Sequence, residues 1–85
     1  MYIELLNIGF ANIIVANRIV AIIKLGSLPA KKIIQQARNR HMLITVTHGR
    51  RTKSIIITDS GYVFLSSIQP ETLQHRLSLK CINEL

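Results

Sequence analysis

Apolar positions along the chain recur at short intervals, and the interval shifts from two residues to three or four and back. Between Met42 and Asp59 two β-branched runs flank the polar segment His48-Gly49-Arg50-Arg51-Thr52. In the first run Met42, Ile44 and Val46 fall on one face and Leu43, Thr45 and Thr47 on the other, the period of a half-buried strand. The second run, Ile55-Ile56-Ile57-Thr58, is too short for a helix and rich in Ile, so it also predicts a strand. The linker is short and contains Gly49, as a hairpin requires. Two arginines therefore sit at the expected tip, with Lys53 immediately behind.

On either side the pattern is equally short-ranged. Tyr2 to Ile8 predicts a first strand, with Gly9 able to take the positive φ of a bend. Asn12 to Ala16 predicts a second, and Ile19 to Ile23 a third; Asn17-Arg18 between them is a turn or a functional insertion. Ser27 and Pro29 mark a helix entry. From there Ala30, Ile33, Ile34, Ala37 and His41 repeat at the spacing of one buried helical face. Lys31, Gln35 and Arg38 form one polar stripe and Lys32, Gln36 and Asn39 the next, with no acid among them. Such a stripe is an ordinary solvated face or one that contacts phosphate. Asp59-Ser60-Gly61 predicts a tight turn into a strand over Tyr62 to Ser67. Gln69-Pro70-Glu71 starts a short helix with Leu73 and Leu77 facing inward. Ser78 to Leu85 shows no clear periodicity and is expected to be a flexible tail. The expected fold is α+β: one small antiparallel β-rich domain over residues 1–85, with one central helix and a short C-terminal helix.

Composition changes this picture in two ways. Ile, Leu and Val together supply 29 of 85 residues, more aliphatic surface than one copy of so small a domain hides, so self-association is expected. A membrane is the other remedy. The apolar run Ile8 to Leu25, however, is interrupted by Asn12, Asn17, Arg18 and Lys24, and a spanning helix needs roughly 20 uninterrupted residues. Two short buried strands fit it better. No basic segment precedes the first apolar residues, so no signal peptide is expected. The single cysteine, Cys81, cannot form an internal disulfide and suits a reducing, cytoplasmic setting.

Charge narrows the chemistry. A formal net charge of +7 and a pI near 10.4 favour a polyanionic partner, nucleic acid before anionic lipid. The four acids Glu4, Asp59, Glu71 and Glu84 are scattered, and neither a nucleophile elbow nor a glycine-rich phosphate cradle is present, so no enzyme is expected. His41, His48 and His75 lack ligand spacing, so neither a metal site nor a cofactor is expected, and no small-molecule ligand is evident. Arginine is another matter. Its planar fork matches phosphate oxygens and the guanine edge, and Arg50 and Arg51 at a tip with Arg18 at a strand break can converge in a fold. Lys53 adds charge, Lys31 and Lys32 give weaker help, and His48 could donate from its ring to a phosphate. Few aromatics argue against base stacking and for duplex DNA held by its backbone. Three alternatives stay open: a turn charged only for solubility, a basic scaffold or protein-interaction module that docks an acidic partner or membrane, and RNA binding, which the narrow A-form major groove disfavours for a hairpin tip.

The segments NIGFANIIVANRIVAII (7–23), KKIIQQARNR (31–40) and HGRRTKSIIITDSGYVFLSSIQPETLQHRL (48–77) resemble the RemA family of extracellular-matrix regulators, over residues 3 to about 79. That resemblance implies a cytoplasmic, nucleoid-associated bacterial DNA-binding regulator that activates biofilm matrix genes. It implies a fold similar to LytTR-type domains and protomers joined into a ring-shaped homo-oligomer. By motif, Arg18 in Ala-Asn-Arg and Arg50 and Arg51 in Gly-Arg-Arg-Thr would contact the DNA. The chain has His41 where the family usually has glycine, so His41 has to tolerate a chain reversal there.

Overall fold

The structure, a computed structural model, describes the backbone of residues 4–82 and the side chains of residues 4–77. In chain order the elements are β1 (Leu5–Asn7), β2 (Ile13–Val15), a 3-10 turn (Ala16–Arg18), β3 (Ile19–Lys24), α1 (Leu28–Asn39), β4 (Leu43–Thr45), β5 (Ser54–Thr58), β6 (Val63–Ser66) and α2 (Pro70–Ile82). The α+β class is as expected. β1 and β2 form a separate antiparallel ribbon, while the main sheet has the order β3-β5-β6-β4. The 3-10 turn is therefore the point where the chain leaves one sheet for the other.

The hairpin expected between Met42 and Asp59 does not form. A strand has two edges, and β5 gives one to β3 and the other to β6, both antiparallel. The local turn wins the second edge: Gly61 at φ +93° lets the chain reverse, and the Thr58 amide donates to the Tyr62 carbonyl at 3.1 Å. β4 is left to pair with the far edge of β6, and it does so in parallel, so the sheet is mixed rather than antiparallel throughout. Residues 46–53 consequently arch over the end of β6. The Val46 amide donates to the Leu65 carbonyl at 3.0 Å and the Lys53 amide to the Ser66 carbonyl at 2.8 Å, fixing both feet of the arch.

Register divides the sheet into two apolar faces. Ile55, Val63 and Leu65 pack with Ala30 and Ala37 of α1. Ile56 packs on the other side with Leu6 and Ile8 of the ribbon segment and Leu73 of α2. The run Ile55-Ile56-Ile57 is thus apolar at every position because its strand is covered on both faces. Buried Ser66 ties the ribbon to the sheet, its hydroxyl donating to the Ile8 carbonyl at 2.7 Å and accepting from the Ile68 amide at 3.1 Å.

The helices form where their caps place them. Ser27 Oγ accepts from the Ala30 amide at 3.2 Å, with Pro29 in the first turn. At the other end the Met42 amide donates to the Ala37 carbonyl and the His41 amide to the Arg38 carbonyl, a Schellman closure with His41 at φ +61°. His41 is therefore an exposed chain-reversal residue and not part of the buried face, because left-handed φ turns it off the helix. α2 also differs from expectation: at 13 residues it is longer than the 12-residue α1, and it carries 78–82 of the supposed tail as helix. Residues 83–85, the rest of that tail, and Met1 to Ile3, which hold the start of the first expected strand, lie outside the described residues.

Candidate nucleic-acid interface

The arch over β6 carries most of the predicted cations. Arg50, Arg51 and Lys53 are exposed on it, and together with Ser67 they line one shallow cleft. The arch is held internally by the Arg50 amide donating to the Thr47 carbonyl at 3.0 Å. Because its two feet are fixed to β6, the arginines stand on a defined platform, even though the hairpin first expected there is absent. Among the described residues the one ion pair is that of Arg18 with Asp59, so the arch cations keep their charge unneutralised by carboxylate.

Phe10, absent from the sequence-derived site, stands against this arch. Its ring stacks on His48 with centroids 5.0 Å apart, and the Arg50 guanidinium carbon lies 5.8 Å from the same ring centre. A cation over an exposed aromatic face gains about 0.5–1 kcal/mol, enough to bias where Arg50 points. The turn that delivers Phe10 is tightly built. Gly9, Phe10 and Ala11 have φ of +119°, +52° and +62°. Asn7 Oδ1 accepts from the Gly9 amide at 2.8 Å, and Asn12 Nδ2 donates to the Gly9 carbonyl at 2.9 Å. Two asparagines flanking Gly-Phe-Ala are the signal in the sequence that marks this turn; its meeting with His48 is tertiary. His48 itself has φ +53°, so both stacked rings are projected from left-handed backbone.

Arg18 lies elsewhere. In the β3–β5 register Ile19 is opposite Thr58 and Lys24 opposite Ser54, so Arg18 is at one end of β5 and Lys53 at the other. At the ~3.3 Å rise of a strand residue those ends are about 13 Å apart. Its Nε donates to Asp59 Oδ1 at 2.8 Å, while the side chain stays 62% exposed. Within one chain, then, the structure brings Arg50, Arg51 and Lys53 together and sets Arg18 apart. Lys31 and Lys32 are exposed on the first turns of α1 and line neither cleft beside the arch. Lys24, which no motif marks, does share a cleft with Arg51 and Lys53.

Fold and surface thus describe a small α+β protein with a basic, aromatic-braced arch, and its relatives place it among regulatory proteins. A chain of Clostridium perfringens strain 13 is 61% identical over 80 residues, covering 94% of this chain and 90% of the relative. Chains of Clostridium botulinum Eklund 17B and Clostridium acetobutylicum ATCC 824 are also 61% identical over 80 residues, with 90% and 87% of the relative covered. All three are provisionally named regulatory proteins. The family model for extracellular matrix regulatory protein A-like proteins matches residues 5–77, and the chain belongs to this RemA-like family. The family's description and its relatives' names are those of regulatory proteins.

Proposed function

We propose that this protein is a transcriptional regulator that binds duplex DNA as a cytoplasmic homo-oligomer, with Arg50, Arg51 and Lys53 of each copy on the phosphate backbone and Arg18 at a second contact. The observation that carries it is the arch itself: three exposed cations, with no acid partner among the described residues, on backbone fixed at both feet. Backbone held this way loses little further freedom when its side chains meet a phosphate, and the arginine forks suit one. Phosphate contacts supply affinity, while selectivity comes from base-edge contacts and from the spacing and bending of the site.

Exposed aliphatics support the assembly. Leu5, Ile13 and Val15 point outward from the ribbon at 53%, 57% and 38% exposure, and Val20 of β3 is 66% exposed, so within one copy β2 and β3 are not the buried strands that the sequence predicts. Two different apolar faces favour a head-to-tail contact, which closes into a ring when its rotation permits. A ring repeats the arch along one DNA and multiplies weak contacts into avidity. The family description suggests extracellular-matrix, and hence biofilm, genes as targets.

The test is a salt titration of affinity for a long duplex, comparing the unaltered chain with Arg50→Ala/Arg51→Ala after sizing both. Each neutralised phosphate contributes roughly 0.9 to the slope of log affinity against log salt. A steep slope that flattens in the variant is expected, with assembly unchanged. Equal slopes would overturn the assignment and turn attention to an acidic protein partner.

A further inference from the structure

A second basic concavity lies beside the arch, on the side of β3. It is a cleft of about 310 Å³ whose lining includes Lys24, Gly26, Arg51, Lys53 and Gln69, and among the described residues no acidic side chain lines it. Its cations come from separate parts of the chain: Lys24 ends β3, while Arg51 and Lys53 belong to the arch. The Lys24–Ser54 register pair and the Leu25 amide, 3.5 Å from the Lys53 carbonyl, hold these parts together. Three like charges around one concavity repel one another, so leaving them there without a carboxylate costs stability that an anion would recover.

The rest of the lining suits an anion. Gly26 has φ +111°, and a Cβ built on it meets nothing within 4 Å, so the backbone at that wall is open to a close approach. Gln69 supplies a carboxamide donor, and it immediately precedes the first residue of α2, so the positive end of that helix adds to the field. Glu71, in the first turn of α2, is not among the lining residues.

We infer that this cleft binds a phosphate group, held by Lys24, Arg51 and Lys53 against the open backbone at Gly26, and supplied either by a small phosphorylated molecule or by the DNA backbone. The cleft shares Arg51 and Lys53 with the proposed DNA face, yet phosphate binding in it does not require duplex binding. With a small phosphorylated ligand the two would compete for the same side chains, which gives the regulator a route to chemical control.

The experiment has two arms, run on the full chain with Lys24→Gln and, as a matched loss of charge outside the cleft, Arg40→Gln at the exposed C-terminal end of α1. In the first, inorganic pyrophosphate is titrated calorimetrically at constant ionic strength. Saturable binding, weakened about tenfold by Lys24→Gln and unchanged by Arg40→Gln, supports a site for small phosphates. In the second, the duplex salt titration is repeated. Pyrophosphate that does not saturate, with a salt slope that Lys24→Gln alone lowers by roughly 0.9 per bound protomer, assigns the site to the DNA backbone. Indistinguishable behaviour of the two variants in both arms overturns the inference. If the unaltered chain binds no duplex, the DNA assignment fails and the pyrophosphate arm alone decides the cleft.

Discussion

Arg18 and Asp59 are joined twice: the Arg18 Nε donates to Asp59 Oδ1 at 2.8 Å, and the Asp59 amide donates to the Arg18 carbonyl at 2.9 Å. Both side chains remain about half exposed or more, at 62% and 49%. Solvent screening therefore limits what the pair adds to stability. A double-mutant cycle with Arg18→Ala and Asp59→Ala, followed by urea unfolding, should give a coupling below about 1 kcal/mol. In the same variants, loss of Arg18 should weaken duplex binding far more than it weakens the fold. A large coupling would mean that Arg18 is a structural residue.

Two serines that face each other in register make a sharper contrast. Ser54 and Ser66 are both fully buried, but only the Ser66 hydroxyl has partners, at Ile8 and Ile68. Ser66→Ala should cost about 1–3 kcal/mol, because it strips a buried carbonyl and a backbone amide of their contact. Ser54→Ala should be neutral or slightly stabilising. Denaturant midpoints of the two variants, compared side by side, test the difference.

His41 closes α1 from a left-handed conformation that a side chain adopts only at a cost. Both Schellman hydrogen bonds are backbone bonds, so they survive replacement of the side chain. His41→Gly should therefore raise stability by about 1 kcal/mol, seen as a higher unfolding temperature with unchanged circular dichroism. His41→Val should lower it.

Phe10 is 45% exposed, so its ring contributes more to the arch than to the core. Phe10→Ala removes the surface on which His48 and Arg50 rest. Duplex affinity should fall about two- to fivefold, the equivalent of one exposed cation–π contact, with the midpoint of unfolding little changed. Unaltered affinity would show that Arg50 needs no brace.

Val20 is the most exposed hydrophobic residue of β3, at 66%, on a strand whose outer edge has no partner in the main sheet. Placing a charge there should disrupt assembly without unfolding the chain. Sedimentation of Val20→Glu should show smaller species that retain the secondary structure of the parent. Intact oligomers would move the contact to the ribbon face of Leu5, Ile13 and Val15.

Much of this was local, and so legible in the residues themselves. The Ser27 cap, the Gly61 turn, the start of α2 at Pro70 and the burial of Ala30, Ala37 and Leu73 follow from side-chain chemistry and from spacings of three or four residues. Arg50, Arg51 and Lys53 were also visible as a cluster, since they are neighbours in sequence. The extent of α2 was not, because the periodicity past Leu77 is weak. Pairing was a different problem. Alternation marks Leu43–Thr45 as a strand and a short Ile-rich run marks Ile55 to Thr58, but both have apolar faces that satisfy more than one neighbour. Only the competition for the two edges of β5, won by β3 and β6, decided that β4 lies beyond β6 and that the arginine segment is an arch. The same competition brought Lys24 beside Arg51, set Arg18 at the far end of β5 and left Phe10 against His48. Backbone hydrogen bonds and apolar contact are largely indifferent to which strand supplies them, so the choice belongs to the whole chain and not to any stretch of it.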